Sequence, residues 1–339
     1  MKPTSFLFLL AALVSACNPT SSGDTESTLP SIPSGPYLGQ TPPDSLPALF
    51  APGIVSTGMF TRDVAISHDG KEIFFCVAIG NYTYSTILCC KEEGGRWTGP
   101  EIVPFSGGPG VMDFEPAFSP DGSRLYFLST RPDGDEEPGD QDIWYVERSA
   151  TGWGEPKNLG APVNTDDGEF FPSFTRDGTL YFTRGSAINQ IYRSRLENGT
   201  YQEPELLPGQ VNCGTNRFNA FVSPAEDYII VPAMGRADTY DGVDYYIVFR
   251  DPSDRWSEPV NMGPLVNADN VRGWSPNVSP DGKYFFFMAT RTREMDVPDW
   301  NYEGLRDLYN APQNGNADIF WVDASFIDAL RKQAVFPTP

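Results

Sequence analysis

Asp63 and Glu115 stand four residues ahead of Ser67 and Ser119, at matching places in two copies of a recurring motif. Two carboxyl groups so placed can share a hydrolysis: one holds a proton for a leaving oxygen while the other takes a proton from water. The matching positions in three further copies are Phe171, Asn219 and Ser275. Their preceding neighbours are Arg62, Phe114, Phe170, Phe218 and Trp274. Together they describe a partly polar ring beside large aromatics, a surface suited to a sugar, a peptide or a small polar compound. The same residue types also suit core packing around channel waters.

A second set follows the apolar strand of each copy: Arg131, Arg184, Arg236 and Arg291, with Asn81 at the corresponding place in the first. Guanidinium groups make paired, directed hydrogen bonds to carboxylates, so these arginines fit either an anionic ligand or structural ion pairs. Oxygen-rich loops at 133–142 and 238–244 offer ligand types that calcium accepts, without EF-hand spacing. Ca2+ is therefore left unassigned and no cofactor is expected. Asp142, Asp244 and Asp318 fall near the starts of strands, where a carboxylate caps a turn. His68 is the single histidine, which leaves no second imidazole for a zinc site and no sequence support for a Ser-His-Asp triad.

The elements that must carry these residues repeat. Ser67, Ser119, Thr175, Ser223 and Ser279 mark five copies at intervals of 48 to 56 residues. The fullest copy runs Pro116 to Gly122 through the turn Ser119-Pro120-Asp121-Gly122, then Leu125 to Leu128, then Asp142 to Val146, then Trp153 to Pro156. Asp-Gly serves a tight turn, and Tyr, Phe, Val and Ile favour packed strands, so each copy reads as a four-stranded blade. Trp97 to Pro100, Trp153 to Pro156, Tyr201 to Pro204 and Trp256 to Pro259 open four outer strands, and the fifth copy lacks one. Residues 47–55 resemble 156–164 in spacing and apolar placement, so they are expected to complete the last blade and close the ring. The expected fold is all-β, a single five-bladed β-propeller closed by an N-terminal strand. Six blades is the alternative if residues 292–314 hide a degenerate element. That insertion carries Trp300, Tyr302, Arg306 and Tyr309 and would cover one mouth or seal a blade edge.

The Ser-Pro-Asp-Gly turns, Tyr-Phe strands and Asp-Ile-Trp/Phe segments resemble the WD40-like (PD40) repeats of the TolB-like periplasmic family over residues 60 to 322. Five units rather than six set the chain apart from that family's pattern. The inner-strand carboxylates are also similar to those of five-bladed glycoside hydrolases, although Phe171 and Asn219 stand where a wider acidic set would continue.

Ahead of the repeats, Lys2, the apolar run Phe6 to Val14 and Val14-Ser15-Ala16-Cys17 resemble a bacterial lipoprotein signal. The resemblance implies a signal peptide over 1–16 and a lipidated Cys17 with the flexible linker 17–46, ahead of a propeller over 47–339. Asn18 after the cysteine implies an outer-membrane address, periplasmic or surface-facing. A formal charge of −21 argues against nucleic acid and anionic lipid as partners. Of the remaining cysteines, Cys76 and the pair Cys89 and Cys90 fall on adjacent strands, where one cross-strand bridge is open to geometry. The expected function is a membrane-anchored extracytoplasmic binding or scaffold protein that recognises an envelope protein or a glycan without turnover. The alternative is a propeller glycoside hydrolase or related carbohydrate-active enzyme using Asp63 and Glu115.

Overall fold

The Asp-Gly turns are built alike. Ser119 Oγ donates to Asp121 Oδ1 at 2.7 Å, the backbone N–H of Ser123 caps the same oxygen, and Gly122 takes φ +70°. The arrangement recurs at Ser67 with Asp69 and at Ser279 with Asp281, and Thr175 replaces serine in the third copy. In the fourth copy Glu226 occupies the left-handed position at φ +57°, and Ser223 turns to Asp227 instead. Each turn returns the chain into an apolar strand, which fixes the blade's register.

A computed structural model describes residues 32–134, 139–185, 187–240, 242–268 and 271–338. It shows a five-bladed propeller. Blade one contains Phe60–Ile66, Glu72–Ile79, Tyr84–Glu93 and the outer Glu101–Ile102. Blade two contains Asp113–Phe118, Arg124–Ser129, Asp142–Ser149 and Lys157–Asn158, and blade three Glu169–Phe174, Leu180–Arg184, Gln190–Ser194 and Glu205–Leu206. In blade four the inner strand is broken into Asn216–Arg217 and Phe221–Val222, followed by Tyr228–Met234, Val243–Phe249 and Val260–Asn261. Blade five contains Gly273–Val278, Tyr284–Thr292 and Asn314–Asp323, and its fourth strand is Ala48–Leu49.

That last pairing closes the ring as expected: Ala48 lies opposite Trp321 and Leu49 opposite Phe320, and Phe50 N–H donates to Ile319 O at 2.8 Å. Phe50 is fully buried, with its ring 5.1 Å from Phe286 and 5.3 Å from Trp321. Residues 292–314 add helix Tyr302–Tyr309 and a short 3-10 turn but no further strand, so the six-bladed alternative falls.

The core is divided into clusters between neighbouring blades. Phe75, Val77 and Cys90 of blade one, for example, meet Phe286 and Trp321 of blade five, and Tyr126 and Ile143 of blade two meet Leu180 and Phe182 of blade three. The cluster at the closing seam also takes in Leu38 and Tyr37. Trp97 donates to Gly35 O at 2.7 Å, and Gln40 brackets Leu49 O and Ala51 N. Part of the flexible linker expected through residue 46 is thus anchored, with Leu38 buried and Ile32, Tyr37 and Gln40 half-buried. Burying Leu38 and part of Tyr37 offsets the ordering entropy that their Pro- and Ser-rich setting suggested would go unmet. The expected signal peptide and Cys17 lie outside the described residues.

A repeated clamp holds the outer strands. Asn267 accepts from Tyr245 N–H at 2.9 Å and donates to Tyr245 O at 3.0 Å, and Asn164 does the same at Ile143 and Asn212 at Ile191. Each amide imitates a strand residue where the outer strand has ended, pairing the backbone N–H and C=O of one third-strand residue. Asn267→Ala should cost about 2 kcal/mol, the penalty for orphaning buried backbone donors and acceptors. A urea midpoint within error of wild type would contradict this assignment.

The four cysteines after Cys17 are free and buried. Cys76 lies opposite Ile87, while Cys89 and Cys90 lie opposite Phe74 and Ile73, so strand register rules out the cross-strand bridge that the sequence left open. Among the described residues, no helix is long and apolar enough to cross a membrane.

Candidate functional site

Every inner strand is interrupted at the same place. Asp63, Glu115, Phe171, Asn219 and Ser275 all adopt left-handed φ, between +54° and +68°. Strand pairing slips at this point in blades one, two, three and five, and in blade four the strand is broken. Bulges of this kind re-aim a side chain, and left-handed backbone at non-glycine residues costs on the order of 1–3 kcal/mol each. Five such bulges form one buried ring of residues, the set that the repeat spacing singled out.

Arg62 organises this ring. Its Nη2 donates to Glu115 Oε1 at 2.6 Å, and its Nε stands 2.7 Å from Asp63 Oδ2 as an ion contact lacking hydrogen-bond alignment. Glu115 Oε2 accepts from Phe171 N–H at 2.7 Å, and Oε1 accepts from Asn219 Nδ2 at 3.1 Å. One carboxyl group therefore joins blades one, two, three and four. Burial pushes the Glu115 carboxyl up; Arg62 pulls it down and Asp63 pushes it up again, leaving it at about 7. Burial alone would lower the Arg62 guanidinium, but Asp63 and Glu115 more than offset that and hold it above its ordinary range. Both Asp63 carboxylate oxygens and Ser275 Oγ are buried with no hydrogen-bond partner.

Two chambers flank the ring, and Glu115 lines both. Toward the strand starts lies a cavity of about 340 Å³ walled by Tyr82, Phe114, Phe170, Phe218 and Trp274, with Arg62, Glu115 and Asn219 among its polar lining. Its aromatics form a loose belt: Tyr82 lies 5.4 Å from Phe114, and Phe60 lies 5.7 Å from Tyr82 and 6.5 Å from Trp274. Toward the Asp-Gly turns a second cavity of about 340 Å³ receives Asp63, Glu115, Phe171 and Ser275, with His68 on its wall. His68 packs 6.2 Å from Phe118 rather than beside a nucleophile.

The repeated arginines divide differently. Arg131 pairs with Asp113 at 2.8 Å and Arg184 with Glu169 at 2.6 Å, both within a blade, and Arg236 reaches Asp238 at 3.2 Å. Arg291 packs 4.6 Å over the ring of Phe320, and burial lowers its guanidinium. Its blade has Gly273 where blades two and three carry Asp113 and Glu169, and a Cβ there would meet Tyr245 at 2.3 Å. None of the four lines either chamber. Asp244 accepts from Tyr240 N–H and Asp318 from Gln313 N–H, as expected of turn-capping carboxylates, whereas Asp142 accepts from the side-chain amide of Asn158. Among the described residues no group of three or more His, Cys, Asp or Glu side chains could hold a metal ion.

The residue that sequence reasoning undervalued is Arg62. Four blades place an aromatic just before the ring position, and blade one alone places arginine there. That exception in an otherwise uniform column was the available signal. Tyr82, also missed, comes from the loop joining the second and third strands of blade one, where the repeats offer no alignment.

No protein-family model matches the chain, and no curated protein matches it in sequence. Solved structures match it in fold. TolB from Acinetobacter baumannii aligns with TM-score 0.44 and 15% identity, over 78% of this chain and 57% of that one. The catalytic domain of a GH62 α-L-arabinofuranosidase from Coprinopsis cinerea aligns with TM-score 0.47 and 8% identity, over 83% and 97%. A GH43_12 protein from a capybara gut metagenome aligns with TM-score 0.47 and 14% identity, over 83% and 53%. The chain thus spans just over half the length of the TolB structure. The expectation of a scaffold without turnover is corrected here. It rested on a missing catalytic set, whereas the fold brings Asp63 and Glu115 onto one guanidinium.

Proposed function

We propose that this propeller is a carbohydrate-active enzyme that hydrolyses a glycosidic bond at its axial ring. The observation that carries the reading is the pair of buried carboxyl groups on Arg62, Glu115 with its acidity weakened by burial and Asp63 with two oxygens free of hydrogen bonds. A carboxyl group tuned near neutrality is matched to general-acid work. In this scheme Glu115 gives its proton to the leaving glycosidic oxygen. From the turn-side chamber Asp63 takes a proton from the water whose oxygen bonds to the sugar carbon, so bond breaking and bond making balance in one hydrolysis. The aromatic belt offers flat apolar faces to a pyranose or furanose ring, and Asn219 a neutral amide for its hydroxyls.

The purified mature chain is expected to release reducing ends from neutral polysaccharides or aryl glycosides, and Asp63→Asn and Glu115→Gln to lose that release while still folding. Release that persists in both variants, or a folded wild type inactive on every glycoside, would refute the proposal.

We further propose that the propeller is held at the outer membrane through a lipidated Cys17, on the strength of the Val14-Ser15-Ala16-Cys17 signal and the Asn18 that follows. In a Gram-negative host, intact-mass analysis is expected to find acyl chains on an N-terminal Cys17. Cys17→Ser should shift the protein from the membrane to the soluble fraction. An unmodified terminus in the membrane fraction would contradict this location.

A further inference from the structure

A third cavity, about 710 Å³ in volume, opens beside blade one between the stretch 57–60, the turn 78–82 and the end of the inserted helix. Its apolar faces come from Met59, Ile79 and Tyr309, and its polar groups include the amides of Asn81, Asn310 and Asn316. The insertion is seated firmly: Asn314 and Asn316 both donate to Gly58 O, and a Cβ on Gly58 would meet the Asn310 backbone at 2.8 Å. Tyr309 and Asn310 of the insertion therefore build one wall of this groove.

Two features identify what the groove would hold. The first is charge: in a chain of net charge −21, none of the residues lining this cavity is ionisable at neutral pH. A lining of amides, hydroxyls and exposed aromatic faces suits an uncharged polyhydroxylated ligand and offers nothing to a cationic or anionic one. The second is continuity. Tyr82 lines both the groove and the axial mouth, and Phe60, which lines the groove, packs edge-on to Tyr82 and tilted against Trp274 of the aromatic belt.

From these observations we infer that the groove is a binding subsite for a neutral oligosaccharide chain, holding sugar units beyond the one at the axial ring. This inference rests on the carbohydrate-active reading and narrows it: the substrate class is an uncharged polymer or oligomer rather than a terminal monosaccharide, a phosphosugar or a uronic acid.

The test uses variants whose side chains stand in solvent, so that folding is not at stake. Tyr309 is 74% exposed and Ile79 54% exposed. Affinities of the mature chain, its Tyr309→Ala and Ile79→Asp variants and Glu115→Gln are measured calorimetrically against neutral di- to hexasaccharides and the corresponding monosaccharides. Wild type is expected to bind more tightly as the oligosaccharide lengthens. Both groove variants should lose about tenfold or more on the longer ligands, as removal of one aromatic or apolar anchor predicts, with monosaccharide binding unchanged. Glu115→Gln should keep the length dependence. Retention of that pattern by a wild type that shows no hydrolysis would uphold the groove while refuting the enzymatic reading. Affinity independent of chain length, groove variants that bind as wild type does, or a wild type that binds no neutral oligosaccharide would overturn the groove.

Discussion

Arg62→Met is expected to destabilise the propeller by about 3–5 kcal/mol, the effect of removing one partner from a buried ion cluster. Among the described residues the guanidinium is the only cation in contact with Asp63 and Glu115, and all three side chains are buried. Methionine would fill similar volume, so the loss reports the two carboxyl groups left without counter-charge rather than a cavity. The deficit should widen as pH rises, because ionising Glu115 then adds a second uncompensated charge beside Asp63. Glu115→Gln in the same background should recover part of the loss, giving a non-additive double-mutant cycle. Chemical denaturation at several pH values would measure this, and a deficit below about 1 kcal/mol would mean that the cluster is not what holds the ring.

Glu115→Gln is expected to lower turnover by about 10²–10⁴-fold, the range associated with general acid–base groups. Glutamine keeps an acceptor for Phe171 N–H but has no proton to give. In wild type, turnover should fall as pH climbs through about 7, where Glu115 loses its proton. The same group sets a stability profile. Its folded value lies above the ordinary 4.5, so the folded state binds the proton more tightly than the unfolded chain does. That contribution is fully present below 4.5 and is lost as pH rises through about 7. The variant should flatten the pH dependence of the melting temperature across that window. Unchanged turnover with a flattened stability profile would make Glu115 a structural link between blades and not the acid.

The ring was legible because five bulges fall at a constant offset from five turns, and a repeated offset survives the low specificity of any single residue. Asp63, Glu115, Phe171, Asn219 and Ser275 could be named together for that reason. Closure was legible for a related cause: residues 47–55 repeat the pattern of an outer strand and the fifth copy lacks one. What alignment could not give was direction. It placed Asp63 and Glu115 at equivalent heights, but not the guanidinium between them or the separate chambers toward strand starts and turns. The repeated arginines show the limit from the other side. Their recurrence was visible, while the acids that occupy Arg131 and Arg184 lie 15 to 18 residues upstream, and contact across a blade leaves no local signal. The anchored stretch 32–40 was hidden by composition, since Leu38 and Tyr37 sit among prolines and serines that read as linker.

The closing pair, Ala48 against Trp321 and Leu49 against Phe320, also orders events in time. Residues 48 and 49 are made before every other strand of the ring and must wait for residues 320 and 321, while blades one to four have every strand they need from a contiguous stretch of chain. Blade five is therefore the last to assemble, and until then the sheet edge at Asn314–Asp323 and the apolar side chains of Phe50 and Trp321 have no cover. Such long-range pairing is slow to form and exposes aggregation-prone surface meanwhile. The ring's one non-contiguous blade thus sets both the pace of maturation and the moment at which a nascent copy is most exposed to chaperones and proteases.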